Sequence, residues 1–573
     1  MKQTCFETLL TPRGEHYCDE NWQVYPRPQM VRDSYLSLNG KWDFAYGTKV
    51  PEYFNETITV PFPPQSVLSG INRNFNGGEF LYYRKKFALP ESFKKDRILL
   101  HIGASDQETD VYVNGSFAGR NIGGYNAFCL DITPFVTEGE NELFIRVYDD
   151  PSSTLLPYGK QREKRGGMWY TPISGIWQSV WLESVGERCV EDMKITTEGS
   201  RVCIKFQGVS EGKITLKNGD KSIEIPFQNS EANFTVESPE MWSPESPYLY
   251  SFKVEAEGDI IDSYFALRDL KIEKINGVPR LLLNGNPYFF HGLLDQGYFS
   301  DGIYTPASPE CYADDIIAAK KMGFNTLRKH IKIEPELFYY YCDKLGMIVF
   351  QDFVNNGDYS FLRDTALPTV GIKRRNDKKL HKNKDSRKAF CDGLEATVNQ
   401  LKNHPSICYW TIFNEGWGQF SADEMYNKLK ALDSTRFIDS ASGWFYPKNT
   451  DIDSPHIYFK PIKIKKSDKP ILVSEFGGYS RKEDGHIFNP EKAFGYRNFE
   501  SREQLAEGLK ELYLGQVVSA IKGGLCGCIY TQLTDVEDEI NGLLTYDRKV
   551  QKVSDEVMSN IAAELRSEFQ KSI

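Results

Sequence analysis

Ile471-Leu-Val-Ser-Glu475-Phe-Gly-Gly478 and, upstream of it, Cys408-Tyr-Trp-Thr-Ile-Phe-Asn-Glu415 are apolar runs that each carry one carboxylate towards their C-terminal end. They belong to a longer series. After Asn284-Gly285, short β-type runs at residues 288–295, 324–330, 347–352, 408–415, 436–441, 453–458, 471–478 and 524–533 alternate with amphipathic helical stretches. That alternation reads as βα units on a parallel sheet, and eight of them in roughly 250 to 300 residues predict a closed (β/α)8 TIM barrel. The intervening helices carry start and stop signals. Ser308 and Pro309 open one, Tyr312, Ile316, Ala319 and Met322 fall on one face of it, and Gly323 ends it. Ser421 with Glu424 predicts a capping box for the helix after the fourth strand. The link from the fifth to the sixth strand is short and helix-poor, so the barrel is expected to be weakest there.

Upstream, the pattern has period two. Between about residues 38 and 182 apolar residues alternate in short runs broken by turns; Val111 and Val113, for example, run into Asn114-Gly115, a dipeptide suited to a tight hairpin. A second β-rich stretch, about 190–272, contains Ile214, Leu216, Asn218-Gly219, Ile223 and Ile225, another hairpin pattern in a segment the size of an immunoglobulin-like module. The chain thus divides into a jelly-roll sandwich (1–185), an immunoglobulin-like β-sandwich (186–275) and the TIM barrel (276–573).

Composition narrows the function. The chain has 573 residues, and Lys+Arg 69 against Asp+Glu 79 leaves a net charge of −10, which argues against nucleic acid or an anionic membrane as partner. Residues 1–17 hold only short apolar pieces among Glu7, Arg13 and Glu15, so neither a signal peptide nor an anchor is expected. The 11 cysteines show no metal-like spacing and suit free thiols in a reducing compartment, which points to the cytoplasm. Nothing in the composition opposes an assembly of identical chains. Residues 373–388 carry nine Lys or Arg against two acids. Such runs are mostly solvated loops, although this one could rim a substrate mouth.

On the barrel's C-terminal face, Glu415 and Glu475 interrupt strands that should be buried, and a charge there costs free energy unless it is paired or used. One buried ion pair would account for one glutamate, not for two that face each other. Two carboxylates across a small cavity suit glycoside hydrolysis, one protonating the leaving oxygen and the other attacking the anomeric carbon or activating water. A gap of roughly 5 to 5.5 Å retains configuration, and a wider one inverts it.

Several motifs extend along the chain. Leu38-Asn-Gly-Lys-Trp-Asp-Phe44, Asp110-Val-Tyr-Val-Asn-Gly115, Ser174-Gly-Ile-Trp177 and Val180-Trp-Leu182 lie in the first sandwich. Asn403-His-Pro-Ser406, Asn414-Glu415, Ser474-Glu475-Phe-Gly-Gly478, Thr534-Asp535 and Asn541-Gly-Leu-Leu-Thr-Tyr-Asp547 lie in the barrel. In their order and spacing the chain resembles glycoside hydrolase family 2, the β-galactosidase and β-glucuronidase family. The resemblance implies a retaining exo-β-glycosidase with Glu415 as acid/base, Glu475 as nucleophile, Asn414 on the sugar 2-hydroxyl and Tyr458 supporting Glu475. It also implies Asp295 beside the glycone and Arg328 near the nucleophile, whereas His330 stands in a Lys329-His330-Ile331 string that departs from the family pattern and is expected from its strand-end position to contact the sugar. Trp417 and Trp444 follow strands four and five, where their rings either stack on a sugar or pack the loops. Gln351-Asp-Phe-Val-Asn-Asn356 lacks the family's magnesium ligands, and no metal or cofactor is expected. Glu539-Ile-Asn541 replaces the Asn-x-Lys with which family glucuronidases hold the substrate carboxylate, and a carboxylate facing Glu539 would be repelled. The expected substrate is therefore a neutral terminal β-sugar, galactose first, with glucose, mannose, glucosamine and arabinose configurations open. β-Glucuronidase and β-mannosidase activities, transglycosylation and a catalytically silent carbohydrate-binding protein are the alternatives.

Overall fold

In the N-terminal half, alternating side chains send every second residue into a core between two sheets. The computed structural model describes residues 6, 8–75, 77–93, 95–218, 221–369, 372 and 377–573. A six-stranded antiparallel sheet faces a four-stranded one. Trp42, Phe44, Tyr83, Leu100, Val111, Val113, Ile145 and Leu182 fill the space between them. Asn114 and Gly115 both take positive φ, as the hairpin reading requires. Sheets of three and four strands form the next sandwich around Ile204, Ile214, Phe252 and Phe265. There Gly212–Asn218 pairs with Lys221–Phe227, while Gly219 of the predicted turn lies outside the described residues. The two sandwiches meet at a buried ionic junction. Glu183 accepts from Arg27, Arg32, Tyr25 and Trp181, and Arg32 also binds Asp259 of the second sandwich.

The barrel strands are β1 (Phe290–Asp295), β2 (Thr326–Lys329), β3 (Ile348–Asp352), β4 (Ile407–Thr411), β5 (Phe437–Asp439), β6 (His456–Ile457), β7 (Ile471–Gly477) and β8 (Leu525–Thr531). All adjacent pairs are parallel, in the order β5-β4-β3-β2-β1-β8-β7-β6. Single bridges close the ring beyond the short ends of β5 and β6, among them Gly443 with Pro455, where the Gly443 N–H donates to Ser454 O at 2.9 Å. The helix-poor link is thus the seam of the barrel. Phe290, Phe350, Tyr409 and Leu472 pack in one apolar layer, and Arg328, Asp352 and His456 gather above it. That change from apolar to polar along the strands marks the functional end.

Two predicted caps are corrected. The helix α1 (Glu310–Lys321) buries Tyr312, Ile316 and Ala319 and stops before Gly323 as expected, but the Ser308 hydroxyl makes no cap hydrogen bond. Helix α2 (Ala422–Leu432) begins after Ser421, whose φ of 40° turns its side chain away from the capping position. Asp377 takes that place instead, its carboxylate accepting from the Ala422 N–H at 2.9 Å. The described part of the basic run is tied to the fold as well. Arg387 donates to the carbonyls of Lys378, Leu380 and His381, and Lys378 pairs with Glu424. Residues 373–376 lie outside the described residues.

Ser174-Gly-Ile-Trp177 docks the jelly roll on the barrel mouth. Trp177 is fully buried, its indole N–H donates to Gly124 O, and its carbonyl accepts from Thr305 Oγ1 after β1. Among the described residues no helix is long and apolar enough to cross a membrane, and the ten described cysteines are free thiols.

Candidate active site

Glu475 lies at a break in the β7–β8 register, between Val473 and Phe476. A β-bulge of this kind re-aims a side chain. Arg328 Nη1 donates to Glu475 Oε1 at 3.0 Å, and the Tyr458 hydroxyl donates to Oε2 at 2.5 Å. Burial alone would raise the pKa of this carboxyl, yet the charges of His456, Arg328 and His330 and the Tyr458 hydrogen bond hold it down at about 2. Arg328 is the hub of the layer. It also binds Asp352, Asn414 Oδ1, Ser442 Oγ and the Ser474 carbonyl. Asp352 in turn contacts His330 Nδ1 at 2.6 Å.

Glu415 lies beyond the end of β4. The chain leaves the ladder after Thr411, and at 414–415 it bonds across to β5's extension, the Glu415 N–H donating to Ser442 O at 3.0 Å. Glu415 itself has a φ of 52°, followed by Gly416 at 79°. This strained corner directs its side chain over the barrel axis. His456 Nδ1 stands 2.8 Å from Glu415 Oε1 and 3.5 Å from Glu475 Oε2. One oxygen of each glutamate and a ring nitrogen of His456 all lie within 4.8 Å of one another. Among the described residues this is the group whose spacing would suit a metal ion. Its donors are already committed, because Arg328 and Tyr458 occupy both oxygens of Glu475 and His456 lies against Glu415.

One wall of the site belongs to the jelly roll. The 157–171 loop is fastened at both ends and in the middle: the Tyr158 N–H donates to Asn355 O after β3, Arg165 pairs with Glu537 and Asp538 after β8, and the Thr171 N–H donates to Glu537 Oε1 at 2.9 Å. The Tyr170 hydroxyl donates to Glu539 Oε2 at 2.5 Å, and Asn541 Nδ2 donates to Oε1 at 2.9 Å. Burial raises the Glu539 pKa against the opposing influence of Lys160. Lys160 is itself buried, which lowers its pKa while Glu539, Glu475 and Glu415 oppose that shift.

Several residues singled out in the sequence therefore converge: Glu415, Glu475, Asn414, Arg328 and Tyr458 share one layer, and His330 joins through Asp352. Asp295 does not join it, because its carboxylate is held by Lys329 at 2.6 Å and by the Gly297 N–H. Trp417 has no free ring face for a sugar. It is 1% exposed, stacked on Trp169 at 5.1 Å, with Lys160 Nζ 4.6 Å from its ring centroid. Trp444 is half-buried and edge-on to His456, and it lines a groove of about 880 Å³ that starts at His456 and Tyr458 and passes Phe459 and Lys463. His456 escaped the sequence reading, although a histidine inside a short barrel strand was a usable signal. Lys160 and Tyr170 gave no signal, since nothing in a sandwich loop reveals that it reaches another domain.

Three family profiles match in chain order: the sugar-binding domain of glycosyl hydrolases family 2 over residues 18–185, a further family 2 profile over 187–268 and the family 2 TIM barrel domain over 275–552. The chain belongs to glycosyl hydrolase family 2. Among other family members it is 26% identical, over 535 residues, to a putative beta-glucuronidase of Formosa agariphila, covering 82% of this chain and 58% of that one. It is 25% identical, over 411 residues, to a beta-galactosidase of Thermoanaerobacter pseudethanolicus, covering 65% and 51% respectively. The chain thus spans between half and three fifths of the length of these relatives. A solved beta-D-glucuronidase from Dictyoglomus thermophilum shares the fold with a TM-score of 0.73 at 19% identity, over 95% of this chain and 98% of that one.

Proposed function

We propose that this family 2 chain is a retaining exo-β-glycosidase with Glu475 as nucleophile and Glu415 as acid/base. The observation that carries this reading is the approach of Glu415 and Glu475 oxygens to within 4.8 Å, on the short side of the roughly 6.5 to 9.5 Å at which inverting enzymes seat their attacking water. A Glu475 oxygen bonds to the anomeric carbon as the glycosidic C–O bond breaks and Glu415 gives its proton to the leaving oxygen. Water then gives a proton to Glu415 and bonds to the same carbon, which releases the sugar and restores the Glu475 carboxylate. Arg328 and Tyr458 keep Glu475 ionised and aimed. Asn414 Oδ1 is taken by Arg328 and Ser442, so its Nδ2 is the group left to donate to a sugar hydroxyl. The fastened 157–171 loop closes the site behind the glycone, which supports attack on terminal residues. The groove beside Trp444 leaves space for the aglycone.

A neutral β-glycoside, with galactose first, is the preferred substrate, because a uronate carboxylate would meet Glu539; β-glucuronide is the alternative. Glu475→Ala and Glu415→Ala should each abolish nearly all turnover of aryl β-glycosides with the fold intact. A slow 2-fluoroglycoside should label Glu475 in mass spectra. Wild-type turnover by either variant, or a label elsewhere, would refute the assignment.

A further inference from the structure

Lys160 is a charged group at the site that the proposed reaction leaves without a role. It is 7% exposed, yet no hydrogen bond joins its ammonium to a described residue, and no carboxylate oxygen of a described residue comes within the 4.0 Å of an ion pair. An ammonium has three protons to donate, and this one has no acceptor among the described residues. Its surroundings define where an acceptor could enter. The Trp417 ring covers one side at 4.6 Å, and Glu539, Glu475 and Glu415 are the carboxylates whose charges it feels, Glu539 most strongly. The Lys160 carbonyl accepts from the N–H of Tyr170, whose hydroxyl bonds Glu539, and Trp417 follows Glu415 by two residues, so the ammonium stands beside both Glu539 and the two-glutamate layer. Glu539 is its complement. Tyr170 and Asn541 each supply one hydrogen bond to it, and an ionised carboxylate has about four acceptor sites.

Resting on the reading above, we propose that Lys160 and Glu539 form a glycone-selecting pair supplied by two domains, Lys160 donating to one sugar hydroxyl and Glu539 accepting from its neighbour. One cation beside one anion satisfies two neutral hydroxyls and leaves no net charge behind. A uronate carboxylate would gain Lys160 but meet Glu539 at the same time. The pair thus favours uncharged sugars, and removing either member tilts it in a known direction.

The experiment measures kcat/KM on 4-nitrophenyl β-D-galactoside, β-D-glucoside, β-D-mannoside and β-D-glucuronide with the whole chain, Lys160→Met and Glu539→Gln. Calorimetric binding of free galactose and free galacturonate is measured on the same three proteins. Lys160→Met should lower kcat/KM on the best neutral substrate about 10- to 100-fold, as expected for losing a hydrogen bond from a charged donor. Glu539→Gln keeps the shape and removes the negative charge, so it should raise the glucuronide-to-neutral ratio at least about tenfold. Unchanged ratios in both variants, or a wild-type preference for the glucuronide, would overturn the proposal while leaving the two-glutamate chemistry standing. Absence of turnover on every glycoside would refute that chemistry, and the binding preference for galactose over galacturonate, lost in Lys160→Met, would still decide the pair.

Discussion

Tyr458→Phe tests one interaction at the proposed nucleophile, because it deletes a hydroxyl that donates to Glu475 and lies 3.0 Å from Thr531 Oγ1, and keeps the ring stacked on Tyr496 at 4.2 Å. The lost hydroxyl donates at 2.5 Å to a carboxylate whose pKa lies at about 2. A hydrogen bond to a charged group is worth about 1.5 to 3 kcal/mol, and one pKa unit corresponds to about 1.36 kcal/mol, so the Glu475 pKa should rise by about one to two units. The sign follows from the hydroxyl favouring the ionised form. Glu475 attacks only when ionised, so the acid limb of kcat/KM should move from about pH 2 to about 3 or 4, while the carboxylate stays ionised at neutral pH. A further fall of about 10- to 100-fold at pH 7 is expected from lost aim. The assay is kcat/KM for an aryl β-glycoside between pH 3 and 7, in short reactions with a recovery control at each pH. An acid limb that coincides with wild type would mean that the hydroxyl does not hold the Glu475 charge, and the assignment of Tyr458 would fail.

Gly443→Ala should impair catalysis more than folding, since an added Cβ would stand 3.2 Å from both Glu415 Cγ and His456 Nδ1 at a φ of 97°; kcat should fall more than tenfold with Tm within a few degrees of wild type. Glu183→Ala strands Arg27 and Arg32 in the ionic junction, and equilibrium denaturation should register a loss of about 3 to 5 kcal/mol, whereas a loss under about 1 kcal/mol would show the junction to be slack. Stability should peak on the acid side of neutral. Asp439 and Asp535, raised by burial to about 6 from 3.8, add stability as pH falls through 6, whereas Glu475, lowered to about 2 from 4.5, gives its contribution up between about 4.5 and 2. A Tm that declines steadily from pH 8 to pH 4 would contradict those assignments.

The barrel was legible because its strands are buried on both faces and read as continuous apolar runs, and because Glu415 and Glu475 stand out against them. The sandwiches were legible from period two and from Asn114-Gly115. The caps were misread for a physical reason. A capping motif specifies a local hydrogen bond, but Ser421 follows the strained turn at 415–418, and Asp377 reaches the helix end from a distant segment. His456 was obscured because a two-residue strand has no periodicity of its own. Of the two readings open for Trp417, packing is the one the structure shows, because Trp169 of the first sandwich covers its ring, and no local pattern distinguishes the two. Lys160 illustrates the same limit: its place over the Trp417 ring comes from tertiary structure, and no local pattern encodes that.

The loop between residues 157 and 171, pinned to the barrel after β3 and after β8, has a practical consequence for anyone reshaping this protein. On the proposed reading the loop supplies one member of the selecting pair, Lys160, while Glu539 and the two glutamates stay with the barrel, so a chimera that exchanges the first sandwich would change half of that pair and leave the other half in place. Mutagenesis libraries that test the proposed selectivity belong in that loop together with position 539, since the two meet across the domain boundary.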